Sequence, residues 1–514
     1  MNKFCKYILK NKTTINLICA ITALGINLIT NFFLSPYIVQ KIGVEANGFV
    51  QLANNFITIA SLITITLNSM AGRFVSLNYN QGKIEEAKKY YSSVFIGNIM
   101  IIALLIIPAT IIVNHLENIL KISPELVCDV KVLFACIFTN FFIGCMANAL
   151  SIAEFVKNEI YINQIINMIA NICRVLTLVG LFTLFLPKVF FVGLATCIST
   201  FIMFPMLLIA KKKIFSDVKF DVKCFDWKCI KELISTGIWN TINQCGMILN
   251  TGLDLLLSNI FLNQFDMGVL AVSKTAPTII TSLAGTICSA YTAELTLTYA
   301  KENLSVFLKR IESAMKVSSV LISVPVMLLV VLGNRFYSLW QPTMDAQKLA
   351  ILSFLACAPL IPMCGTQILS NVFTVTNKLK VNSLSVVLCG ILNIVMVVLS
   401  LEYTNAGLYA VAGISSIIQI LRNMIYTVPY AAKYLNLGWK YFYKDVLTSI
   451  LCCVTSGVIF AAMQLLFKVN TWITLIIISS LGCVISVILN MYLVLNKNER
   501  KVLVEKVIHK NRMG

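Results

Sequence analysis

Two residues of opposite charge, Asp254 and Lys274, stand in the middle of otherwise apolar sequence. A carboxylate and an ammonium so placed can pair, exchange a proton or hold a charged solute. They lie ten residues before and ten residues after position 264, which falls in the turn between two apolar runs. At ~1.5 Å rise per helical residue both would sit at similar depth, more than ~10 Å into a bilayer. An unpaired charge there costs roughly 3 kcal/mol or more, so a pair or a water-filled cavity is expected. Arg174 and Arg422 are further cations within apolar runs, and a guanidinium stays charged, so each must pair, face water or, for Arg422 near a basic end, snorkel to the surface. Glu154 and Glu294 fall at run ends, where a solvated helix terminus explains them.

The elements that must position these groups are membrane helices. Along the first run Thr236, Asn240, Asn243, Asn250, Asp254 and Ser258 recur at intervals of three, four or seven, which puts them on one helical face. The second run repeats the pattern with Lys274, Thr278, Thr281, Gly285, Ser289 and Thr292. A polar stripe on a membrane helix must face protein or water, not lipid. A structural ion pair locking two helices is the plain alternative to a charged site on a transport path.

The 514 residues are 58% hydrophobic and 12% charged, with a mean hydropathy of +0.85. Apolar runs long enough to cross ~30 Å of hydrocarbon recur throughout, which predicts an all-α polytopic membrane protein. Fourteen spans are expected near 14–37, 47–70, 91–113, 127–152, 160–184, 187–210, 235–261, 267–292, 314–334, 349–373, 381–402, 406–430, 445–467 and 471–495. The first is too long for a signal-peptide core and is read as a retained span. Of the 41 Lys and Arg, about 31 lie at the termini or in loops after even-numbered spans and about 7 in the other loops. That asymmetry predicts both termini in the cytoplasm and leaves the +19 net charge no need of a nucleic-acid partner. The most basic loop, with Lys211, Lys212 and Lys213, reads as a topology determinant lying on anionic lipid. Seventeen scattered cysteines without a CxxC, and the distant His115 and His509, support neither a metal site nor a redox motif. No phosphate-binding or dinucleotide-binding glycine motif is present, and no cofactor is expected. The short external loops hold no acid/base cluster, so an enzyme is not expected either.

An internal repeat organises the chain. A shift of 220 residues matches Gly48 with Gly268, Thr58 with Thr278, Ile59 with Ile279, Thr66 with Thr286, Ser69 with Ser289, Leu77 with Leu297 and Tyr79 with Tyr299. Asn158–Asn163 echoes Asn377–Asn382 at a shift of 219. After a three-residue loop adjustment Asn27, Asn31 and Ser35 correspond to Asn250, Asp254 and Ser258, and at the shift of 220 Asn54 corresponds to Lys274. The expected organisation is a six-helix lobe over 1–210, a basic cytoplasmic linker over 211–234, and a second six-helix lobe over 235–432. Two further helices and a basic tail follow over 433–514. The polar stripe is present in both repeats but the charges in one, which suits a cavity holding an asymmetric charged ligand. Pro277, within the stripe, is a candidate hinge.

The stretch Gly43–Phe49, the run Arg73–Ser76 with Lys83–Lys88, and Gly237–Gln244 leading to Asp254 carry a resemblance. With the count of fourteen spans, the chain resembles the O-antigen-type oligosaccharide flippases of the multidrug/oligosaccharidyl-lipid/polysaccharide (MOP) exporter superfamily. The resemblance implies translocation of undecaprenyl-diphosphate-linked oligosaccharide, an O-antigen, capsule or exopolysaccharide unit, across the bacterial cytoplasmic membrane by alternating access. It implies cavity cations that hold diphosphate or anionic sugar, here Arg174, Lys274 and Arg422, and a coupling or ion-pairing group, here Asp254. Asn27, Asn31, Asn54, Asn240, Asn243 and Asn250 would complete the polar lining. A proton or sodium ion, a polysaccharide polymerase and a chain-length regulator are the implied partners. The first helix carries asparagines where lipid II flippases carry charges, which argues against a peptidoglycan precursor. An ion-coupled multidrug antiporter of the same superfamily is the alternative, although its cationic cargo would favour a net acidic interior.

Overall fold

A computed structural model describes residues 12–218, 220–300, 304–376, 378–467, 469–496 and 500. Residues 1–11, Asn377 and the basic tail 501–514 with His509 lie outside the described residues. Fourteen helices are long and apolar enough to cross a membrane. They are α1 Lys12–Ile42, α2 Val44–Asn80, α3 Ile84–Asn114, α4 Pro124–Val156, α5 Ile160–Leu184, α6 Phe190–Ile214 and α7 Trp227–Leu262. Then come α8 Gln264–Ala300, α9 Leu304–Trp340, α10 Ala346–Val375, α11 Leu379–Tyr403, α12 Gly407–Tyr434, α13 Tyr443–Leu466 and α14 Trp472–Val494. The protein is an all-α multi-pass membrane protein of two six-helix repeats followed by two helices.

Several helices outrun the hydropathy windows, mostly at the lysine-rich end. Helices α2, α8 and α9 are each 37 residues long, about 55 Å against ~30 Å of hydrocarbon. Hydropathy marks only the hydrocarbon-crossing turns, and the polar turns beyond them continue the helix. The repeat recurs in the elements themselves. Helices α2 and α8 begin and end 220 positions apart, and α5 and α11, both 25 residues long, begin and end 219 apart.

The chain divides into two compact units, one of Met1–Ile248 with Leu255–Gly268, the other of Leu249–Asp254 with Val269–Gly514. The core of the first is built from Val75, Ala87, Tyr91, Val94, Ile152, Ala153, Phe215, Ile230 and Leu233. In the second, Leu295, Phe307, Ile311, Ala314, Val372, Phe373 and Leu435 stand 220 positions beyond the first seven of these. Each core therefore buries the same positions of its repeat, with different side chains filling the volume. Val446 of α13 joins the second core. Helix α14 is fixed by Asn490, whose Nδ2 donates to Ser456 Oγ at 2.9 Å and Ser323 Oγ at 3.4 Å.

The basic loop is anchored by packing as well, while Lys212 and Lys213 stay exposed. Phe215 and Val218 are fully buried in the first core. Asp217 Oδ2 accepts from Tyr79 Oη at 2.9 Å and lies 3.7 Å from Lys157 Nζ. Asp221 Oδ2 is 3.4 Å from Lys88 Nζ, and Asp226 caps α7 by accepting from the Lys228 N–H at 2.8 Å. The aromatic and acidic residues between the lysines hold the loop to α2, α3 and the end of α4.

Candidate functional site

Helix α7 is irregular where its acid sits. Ile248–Gly252 and Ser258–Leu262 are wound as π-helix, and the short α-helical segment Asp254–Leu257 lies between them. Such widened turns misalign the backbone ladder and free carbonyls for other donors. Lys274 Nζ takes one of them, donating to Thr251 O at 3.3 Å. The same ammonium pairs with Asp254 Oδ2. Asp254 is 1% exposed and also accepts from Ser415 Oγ of α12 at 3.4 Å. The Lys274 side chain is 22% exposed, against 2% for that of Asp254. The acid is thus sealed in, and the base is the member of the pair that meets the surroundings.

Asn250, one turn before Asp254, is buried. Its Nδ2 donates to Val386 O of α11 at 3.0 Å, and its own carbonyl accepts from Asn393 Nδ2 at 2.9 Å. These bonds tie α7 to α11, so Asn250 serves helix packing. Arg422 lies elsewhere in the same unit: Nη2 donates to Asn382 Oδ1 at 2.9 Å and Nε to Ser385 Oγ at 3.4 Å.

The first unit gathers a second group. Asn31 Nδ2 donates to Asn27 Oδ1 at 2.7 Å, and Arg174 Nη2 of α5 donates to Asn31 Oδ1 at 3.4 Å. Arg174 Nε is buried without a hydrogen-bond partner. Asn31 is the repeat equivalent of Asp254, so each repeat brings a cation to the same point of its stripe. It does so from different helices, α5 in the first and α8 in the second. The difference is the counter-charge: Lys274 meets a carboxylate and Arg174 meets an amide.

The remaining candidates are not drawn into these groups. Asn54 is exposed and bonds its own helix at Val50 O, 3.0 Å away. Asn240 and Asn243 are half-buried on the part of α7 that belongs to the first unit. Ser415, Asn393 and Ser385 were not singled out in the sequence, and Asn382 entered only as part of the repeat. Each is a polar residue in an apolar run, and Ser415 and Arg422 stand seven apart on one face of α12. Among the described residues no group of three His, Cys, Asp or Glu is placed to hold a metal ion.

No protein-family model matches the chain. It is 27% identical over 495 residues to an uncharacterized membrane protein, EpsK, of Bacillus subtilis (strain 168), covering 96% of this chain and 98% of that one. Its structure resembles the lipid II flippase MurJ in an inward closed conformation, with a TM-score of 0.66 and 14% identity over 94% of this chain and 99% of that one. It also resembles an inward-facing multidrug resistance MATE family transporter of the MOP superfamily, with a TM-score of 0.64 and 12% identity over 80% of this chain and 94% of that one. The chain shares the fold of these two proteins.

Proposed function

We propose that the protein translocates an oligosaccharide linked through diphosphate to a polyprenyl lipid, by alternating access, across the bacterial cytoplasmic membrane. The observation that carries this reading is the Arg174 group, a guanidinium at membrane depth whose bonded neighbour is the neutral Asn31. A half-buried cation at membrane depth without a counter-charge is costly, and the two phosphates of a diphosphate headgroup would supply charged oxygens that accept paired N–H bonds from Arg. Lys274, 22% exposed beside a sealed carboxylate, is a second cation that can be released toward an anion while Asp254 takes a proton or binds a sodium ion. Arg422 is the third. The lysine distribution supports cytoplasmic termini, and the repeat supports lobes over 1–210 and 235–432. A polymerase and a chain-length regulator would act on the exported unit.

A multidrug antiporter of the same fold is the second reading. It needs an acid free to bind a cationic drug, whereas Asp254 is already paired with Lys274. The experiment is a deletion strain complemented with wild type, Arg174→Gln or Lys274→Ala, with membrane abundance monitored. The expected outcome is loss of surface glycan with lipid-linked precursor accumulating inside. Unchanged surface glycan with new sensitivity to cationic drugs would overturn it.

A further inference from the structure

Helix α12 carries a line of side chains from the paired acid toward the lysine-rich end of the second unit. Ser415 bonds Asp254. Arg422 follows two turns on, then Tyr426, Tyr430 and Tyr434 at intervals of four. The rings form a stack. Phe373 and Tyr426 lie 5.7 Å apart at 15°, and Tyr426 and Tyr430 lie 4.7 Å apart at 26°. Tyr434 closes against both ends, 5.9 Å from Phe373 and 6.0 Å from Tyr430, edge to face. Phe373 belongs to the buried core, while Tyr430 is 37% exposed, so the stack is anchored at one end and open at the other. Lys433 Nζ lies 5.6 Å from the Tyr430 ring centre.

Two features separate this from ordinary packing. The bonds of Arg422 go to the neutral Asn382 and Ser385, so its charge is held in place without being neutralised. The helix is widened to π geometry over Asn423–Thr427, between the guanidinium and the outer rings. The guanidinium, held by two neutral acceptors, and the exposed Tyr430 ring lie eight residues apart on α12, about 12 Å along its axis, with Tyr426 between them. A sugar ring has an apolar face of C–H groups that stacks on an aromatic plane, and the far phosphate of an extended sugar diphosphate would span the distance to the guanidinium.

We propose that this face of α11 and α12 is a loading site for a phosphorylated glycan headgroup, with a sugar on Tyr430 and phosphate at Arg422. The proposal rests on the glycan-lipid reading above and adds to it the place where the headgroup first binds. The line from Arg422 to Ser415 spans seven residues, about 10 Å of helix, and ends at the Asp254–Lys274 pair. The site therefore sits at one end of a polar track through the second unit.

The test uses the full-length protein in nanodiscs and two probes, a polyprenyl diphosphate bearing N-acetylhexosamine and the same lipid diphosphate without sugar. Wild type is expected to bind the sugar-bearing probe about tenfold more tightly. Tyr430→Leu is expected to erase that preference while leaving the bare diphosphate affinity unchanged, and Tyr430→Phe to retain it. Arg422→Gln is expected to weaken both probes about tenfold. A preference that survives Tyr430→Leu overturns the site and leaves the transport reading standing. Competition by phosphatidylglycerol equal to that by the sugar-bearing probe marks the rings as an interfacial belt and also overturns the site. Wild type that binds neither probe overturns the transport reading itself.

Discussion

Asp254 and Lys274 form a pair in which the two members are not interchangeable. Removing the base strands a carboxylate that is 1% exposed, and breaking a buried pair by one partner typically costs about 3–5 kcal/mol. Lys274→Ala should therefore lower thermal stability in detergent more than the double variant Asp254→Asn/Lys274→Met, which removes both charges. Melting followed by size-exclusion fluorescence checks this. If the pair is only a lock, the double variant should also transport; on the present account it is stable and inactive. The similar depth of the two residues was legible in the sequence, because equal distance from one turn fixes depth on antiparallel helices; their direct contact was not. Ser415 was not, since nothing in a helical period tells which distant helix faces which. The π turns on either side of Asp254 were equally out of reach, although Gly252 inside an apolar run was a hint of a broken ladder.

At the scale of elements, close approach decides which helices can pack. A Cβ on Gly237 would fall 2.2 Å from Thr66 O, where α7 meets α2 and Thr66 Oγ1 and Thr241 Oγ1 share a 2.8 Å hydrogen bond. Gly237→Ala should cost about 1–3 kcal/mol through forced separation. Gly285→Ala, with nothing within 4 Å, should be neutral or slightly stabilising. Melting temperatures of the two variants give the comparison. Gly48 and Gly268 illustrate the same rule: matched in the repeat, they touch, with a Cβ on Gly48 falling 2.8 Å from Gly268 Cα. The sequence match was visible; its cause, two backbones in contact, was not.

The docked loop after α6 makes a separate prediction. The Tyr79 hydroxyl, then Ser216, hold the Asp217 carboxyl below its ordinary 3.8. The Lys223 N–H and then Lys88 do the same for Asp221. Since folding lowers these pKa values, their contribution is fully present above the ordinary value and is lost as pH falls through the lowered ones. Hydrogen exchange of the amides over 215–218 and 220–226, corrected for intrinsic rate, should stay slow from pH 7 to about 5 and quicken below about pH 4. Equal protection at pH 3 would mean that Phe215 and Val218 hold the loop without the acids. Lysine counting missed this docking because it weighs charge and ignores the two buried apolar residues between the lysines.

For the whole molecule, fourteen spans and a two-fold internal repeat followed from hydropathy and one gapless register, because a bilayer leaves few solutions for an apolar chain. The reach of each helix beyond the membrane did not follow, since polar helical turns look like loops to a hydropathy window. Transport by this fold is the claim everything else serves, and a reconstituted assay tests it most directly. Proteoliposomes are loaded with a diphosphate-linked polyprenyl lipid bearing a labelled sugar, and the fraction exposed to an added sugar-oxidising reagent is followed in time. Wild type should move the label across the bilayer, and Arg174→Gln should do so about tenfold more slowly at equal incorporation. A label that stays on its original leaflet, in vesicles that nevertheless expel a cationic dye, would contradict the account.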